Sequence, residues 1–150
     1  MKTITQYEWD SALETGYPDI DEQHKQLVAT LNDLLFACKH GTHRAELKKT
    51  VDFLVNYTIK HFADEEMFQI EHNYPEYEQH KRLHDNFKLV ASELTDRLVR
   101  EGASISLLAE MHSVIGGWLV SHIQGEDMKI AIHARGQQDR TFSQSEIRAG

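Results

Sequence analysis

The chain has 150 residues, 40% of them hydrophobic and 27% charged, which is enough for one globular domain with a real core and no need of a second. Its formal charge of -8 and the absence of any basic run argue against nucleic acid or an anionic membrane as partner. No apolar stretch approaches the roughly 20 residues of a membrane span, and MKTITQYEWD lacks the apolar core of a secretory signal, so the default compartment is the cytoplasm. The single cysteine, Cys38, excludes an internal disulfide and any cysteine-built metal site; the ten histidines stand out instead.

Residues 1–17 read as an irregular arm, with Gly16 and Pro18 breaking regularity and Tyr7, Trp9 and Leu13 available to lie over a helical surface. A first helix starts near Asp19, where Pro18 suits its opening and Asp19, Asp21 and Glu22 match the helix dipole. Its inward stripe is Ile20, His24, Leu27, Leu31, Leu34 and Cys38, spaced alternately four and three, and Cys38 fits it as a small buried hydrophobe. Lys39 to His43 make a short connection, with Thr42 as an N-cap for the second helix. That helix carries Leu47, Val51, Leu54, Thr58, His61, Glu65, Phe68 and His72, so its apolar stripe turns ionisable toward the C-terminal end.

Asn73 followed by Glu76 reads as a capping arrangement for a third helix, whose stripe is Tyr77, His80, His84, Phe87, Ala91, Leu94 and Leu98. Glu101 and Gly102 end it, and Ser104 or Ser106 caps a fourth helix bearing Leu108, Met111, Ile115, Trp118 and His122. Gly136 is a candidate stop, and residues 136–150 form a polar tail without a stripe. The fold expected is all-α: an antiparallel up-down-up-down four-helix bundle over about 18–135.

In such a bundle the ionisable positions fall at the start of the first helix, the end of the second, the start of the third and the end of the fourth. Those four places are one layer. His61 with Glu65, and His80 with His84, are spaced four apart, so each pair projects from one helix face. With His24 and His122 they make a cluster whose burial would be costly without a metal to satisfy it. His40, His43, His112 and His133 read as solvated or hydrogen-bonded side chains, and His72 as part of the bundle end. After His122, the four-residue step lands on Glu126, while Asp127 sits about 140° around an ideal helix. Spacing alone therefore favours Glu126.

His24 in IDEQHKQL, the HFADE pair, HKRLH followed by Phe87, and WLVSHIQGED together resemble the hemerythrin family, specifically its bacterial single-domain members. The resemblance runs from TGYPDID through HIQGED. It implies Asp127 rather than Glu126 as the last ligand, which requires a local adjustment of the helix. It further implies two irons bridged by an oxo or hydroxo group and by Glu65 and Asp127, with His80, His84 and His122 on one iron and His24 and His61 on the other. Dioxygen would bind reversibly as a peroxo species at the iron with the missing ligand, beside Leu27, Phe62, Trp118, Leu119 and Ile123. Storage, delivery or buffering of oxygen is the expected role, rather than catalysis. The alternatives are a sensor acting through a partner protein, and a diiron peroxidase, oxidase or nitric oxide scavenger. The family that the chain resembles includes monomers and larger assemblies; no exposed heptad decides between them, and a monomer is slightly favoured.

Overall fold

The computed structural model describes residues 6–40 and 44–136. Thr42 and His43 of the first connection, the Cys38 side chain and the tail beyond 136 lie outside the described residues. The arm opens with an extended stretch and a 3-10 turn at Ser11–Leu13, capped by the Asp10 side chain on the Ala12 N–H. Tyr7 exchanges two hydrogen bonds with the Asn32 side chain, at 2.9 and 2.7 Å, and packs against the core. The approach is close: a Cβ on Gly116 would overlap the Tyr7 ring. Leu13 is buried and Trp9 lies over Lys25, so all three residues cover the helices as expected. Gly16 takes a φ of +90°, which favours glycine, and leads into the first helix.

Four helices follow: α1 (Pro18–His40), α2 (Arg44–Glu71), α3 (Tyr77–Glu101) and α4 (Ile105–His122). The Asp21 carboxylate, in the first turn of α1, accepts from the Thr15 N–H and hydroxyl and the Gly16 N–H, tying the arm to the helix it precedes. The main contacts join α1 to α2 and α4, and α3 to α2 and α4, the ring of sequence neighbours that short connections impose. The expected stripes form its core, including Leu31, Leu34, Val51, Leu54, Phe87, Ala91, Met111 and Ile115. No helix among the described residues is long and apolar enough to cross a membrane.

Two of the sequence-based expectations about local structure need correction. Asn73 does not cap α3: it sits at φ +52°, and the Asn73 N–H donates to the Ile70 carbonyl while the Tyr74 N–H reaches back to Gln69. That is a Schellman closure of α2, in which asparagine substitutes for the usual glycine. The residue before α3 is Glu76, which makes no side-chain cap. Ser104, by contrast, caps α4 as expected by accepting from the Leu107 N–H.

The second correction is His112, which is 1% exposed with neither ring nitrogen hydrogen-bonded, tilted against Tyr7 at 4.9 Å. Burial, helped by the charge of Lys39, lowers its pKa, so it packs as a neutral aromatic ring. His40 and His133 do fit the expectation, each bonded to a backbone carbonyl, of Phe36 and His72 respectively.

Beyond His122 the helix changes pitch. Ile123–Asp127 forms a π-helical turn, after which residues 128–136 resume the α-helix and bury Ile130, Ala131 and Ala134. The arm's 3-10 turn packs on this π segment.

Candidate metal centre

The four helices bring His24, His61, Glu65, His80, His84, His122 and Asp127 into one buried layer. The π turn is what admits Asp127. Its ladder advances five residues per bond instead of four, so side chains five apart, such as His122 and Asp127, share a face. Asp127 is 2% exposed and its Oδ1 lies 3.1 Å from His122 Nε2. Glu126, which α-helical spacing favoured, is half-buried and lies beside Lys129 at 3.4 Å, outside the cluster.

Every imidazole aims its Nε2 inward. His24 and His61 approach to 3.1 Å on one side, and His122 Nε2 lies 3.0 Å from His80 and 3.2 Å from His84 on the other. Each carboxylate divides its two oxygens between these groups. Glu65 turns Oε1 to His80 and His84, at 2.8 and 3.1 Å, and Oε2 to His61, at 3.3 Å. Asp127 turns Oδ1 to His80 and His122, at 3.3 and 3.1 Å, and Oδ2 to His24, at 3.0 Å. The donor atoms thus form two overlapping sets, one of Glu65, His80, His84, His122 and Asp127, the other of His24, His61, Glu65 and Asp127. Both Asp127 oxygens and Glu65 Oε2 are buried without a properly directed hydrogen bond, as expected of atoms placed for cations. Five nitrogens and two carboxylates suit divalent iron.

Charge follows the same geometry. Burial disfavours a proton on His24 and on His80, but the neighbouring Asp127 and Glu65 carboxylates outweigh it and raise both to about 9. Burial also works against ionisation of Glu65 and Asp127, and here the imidazoles prevail and lower both. His84 moves the other way, lowered by burial despite Glu65. At neutral pH the metal-free cluster therefore holds protons on His24 and His80 that a metal must displace. Metal uptake at pH 7 is expected to release about two protons, measurable by calorimetry in buffers of different ionisation enthalpy. Without metal, the stability contributed by those two protons is complete below their ordinary value of 6.5 and is lost as pH rises through about 9. The carboxylate contribution is lost in the opposite direction, as pH falls through their lowered values. Melting of the metal-free chain should accordingly peak on the mildly acidic side of neutrality.

Around the donors lie residues that spacing did not single out. Gln23 Oε1 accepts from His61 Nδ1 at 2.7 Å while its amide donates to Asp64 at 2.8 Å, and Glu66 Oε2 lies 3.4 Å from His84 Nδ1. Such contacts fix which ring nitrogen faces the site. Both residues are sequence neighbours of ligand positions, which no periodicity distinguishes from ordinary helix surface.

Of the residues proposed to wall an oxygen pocket, Leu27, Phe62, Leu119 and Ile123 are buried. Phe62 stacks on His84 at 3.8 Å, and the partly buried Trp118 stacks on His122 at 4.3 Å. The contacts of Trp118 thus lie with the three-histidine group.

Residues 15–131 match the family model described as the hemerythrin HHE cation binding domain. The chain belongs to the hemerythrin family. It is 32% identical to a bacteriohemerythrin of Stenotrophomonas maltophilia over 82% of this chain and 78% of that one. A bacteriohemerythrin of Pseudomonas aeruginosa shares 34% identity over 79% and 75%. A myohemerythrin of Theromyzon tessulatum shares 29% over 82% and 89%. Among solved structures, wild-type hemerythrin superposes with a TM-score of 0.78 at 26% identity, over 87% of this chain and 98% of that one. The match to hemerythrins reaches from the arm's end to the helix after the π turn, and so contains all seven clustered residues.

Proposed function

We propose that this hemerythrin binds dioxygen reversibly at a pair of non-heme irons, for storage, delivery or buffering. The observation that carries the reading is the division of each carboxylate between two histidine groups, which suits bridging of two ions rather than enclosure of one. His80, His84 and His122 would hold one iron, and His24 and His61 the other, with Glu65 and Asp127 available to both. When bound, the iron pair would supply the electrons for dioxygen.

The protein's own part is to orient and to exclude water. Gln23 and Glu66 hold His61 and His84 by their outer nitrogens. Leu27, Phe62, Leu119 and Ile123 form apolar surroundings that keep out water and protons, whose access would promote loss of electrons from the iron. Leu119→Asn is expected to speed autoxidation, followed as decay of the oxygenated spectrum; an unchanged rate would remove Leu119 from the pocket.

Anaerobic reconstitution followed by metal analysis and cycles of oxygenation tests the whole reading. Two irons per chain and an absorption band that appears with oxygen and vanishes on its removal are expected. Fewer than two irons would overturn the assignment, and rapid bleaching with turnover of an added substrate would replace carriage by catalysis.

A further inference from the structure

A neutral imidazole that binds a metal through Nε2 must carry its proton on Nδ1. In the metal-free cluster Glu65 Oε2 lies 3.3 Å from His61 Nε2 and offers a proton on the wrong nitrogen something to bond to. The outer nitrogens that oppose this are held unequally. Those of His24 and His80 are buried with no hydrogen-bond partner, that of His84 lies 3.4 Å from Glu66, and that of His61 lies 2.7 Å from Gln23 Oε1. A glutamine amide has one accepting and one donating end, and on its own it can turn to offer His61 either of them. Asp64 removes that choice. Its carboxylate, exposed on α2 three residues after His61, accepts from Gln23 Nε2 at 2.8 Å and cannot donate. Gln23, on α1, must then turn Oε1 toward His61, which fixes the Nδ1 proton and the inward lone pair.

We propose that Asp64 is a positioning residue that acts on the metal centre through Gln23, setting the tautomer of His61 and strengthening it as a ligand to the iron of the two-histidine group. The inference rests on the diiron reading above. Beyond orienting the amide, the carboxylate polarises it, which makes Oε1 a better acceptor and the imidazole a more basic ligand. A bare attraction between Asp64 and the cation is a different effect. Asp19, Glu22 and Glu71 line the same surface cleft as Gln23 and Asp64, and they would supply that attraction as well.

Iron content is determined first, and affinity for iron(II) is then measured by anaerobic competition with a chelator. Asp64→Asn should lose about threefold, the scale of one net hydrogen bond. Gln23→Leu should lose about tenfold or more, and Glu22→Gln should leave the affinity unchanged. Combined variants separate relay from attraction. In Gln23→Leu, Asp64→Asn should have no further effect. In Gln23→Glu its effect should change sign, because a carboxylate at position 23 repels Asp64 and an asparagine amide relieves that repulsion. Loss of the same size in every background, or an equal loss in Glu22→Gln, would overturn the relay. In the zinc(II)-loaded protein, the Nδ1 proton of His61 should move upfield in the magnetic resonance spectrum of Asp64→Asn and stay in place in Glu22→Gln; a fixed resonance in both would also overturn it. If Gln23→Leu fails to fold, the sign of the effect in Gln23→Glu decides alone. Fewer than two irons in the parent would overturn the diiron reading, whereas two irons with background-independent losses would overturn only this one.

Discussion

Glu65→Ala is expected to strip the site of metal and to lower the melting temperature sharply. Its carboxylate is 1% exposed and lies within 3.7 Å of His24, His61, His80 and His84. Removal subtracts one donor from each set at once, leaving four and three. It also strands protonated imidazoles in a dry layer, and breaking a buried ion pair typically costs about 3–5 kcal/mol. For a chain of this size that corresponds to a fall of roughly 10–20 °C, measurable by calorimetry. Glu65→Gln keeps the volume but not the charge, so it should recover part of the packing and little of the iron. Full iron and an unshifted melt in Glu65→Ala would count decisively against a shared role.

The second large effect separates two adjacent carboxylates. Asp127→Ala should lose iron and stability nearly as Glu65→Ala does, whereas Glu126→Ala, which removes only a surface partner of Lys129, should change stability by no more than about 0.5 kcal/mol. Retention of iron by Asp127→Ala together with its loss in Glu126→Ala would reverse the assignment. The π turn adds a sharper version of the test. A π turn is an α-helix with one extra residue, so deletion of Gly125 can restore α-helical pitch while both flanking stretches keep their phase. That deletion should retain iron. Deletion of the half-exposed Val114, in regular α-helix, rotates everything after it by about 100° and should abolish binding.

What the sequence allowed, and what it hid, can be traced to particular residues. Stripes such as Leu47, Val51, Leu54, Thr58, His61 and Glu65 are legible because burial demands one side-chain type at helical intervals. The exchange of leucine for histidine at matching depth was equally legible. Asp127 was not legible from periodicity, since the pitch change that delivers it is a backbone property of Ile123–Asp127; resemblance to a family pointed to it. Asn73 was misassigned because the same residue type suits an N-cap and a left-handed helix end, and only φ distinguishes them. His112 was misplaced because α4 is apolar over most of its circumference, so one polar residue does not mark a solvent face. Gln23 and Glu66 gave no signal, because their roles depend on which neighbouring helix they meet.

The divided carboxylates of Glu65 and Asp127 also bear on how the centre fills. If two ions bind as proposed, one held by His80, His84 and His122 would fix one oxygen of each carboxylate and thereby hold the other toward His24 and His61. On the two-iron reading, the first ion would thus pre-order the pocket of the second and displace the His80 proton beside it. Loading should therefore be cooperative, with chains carrying a single ion scarce at half saturation and the population split between empty and full.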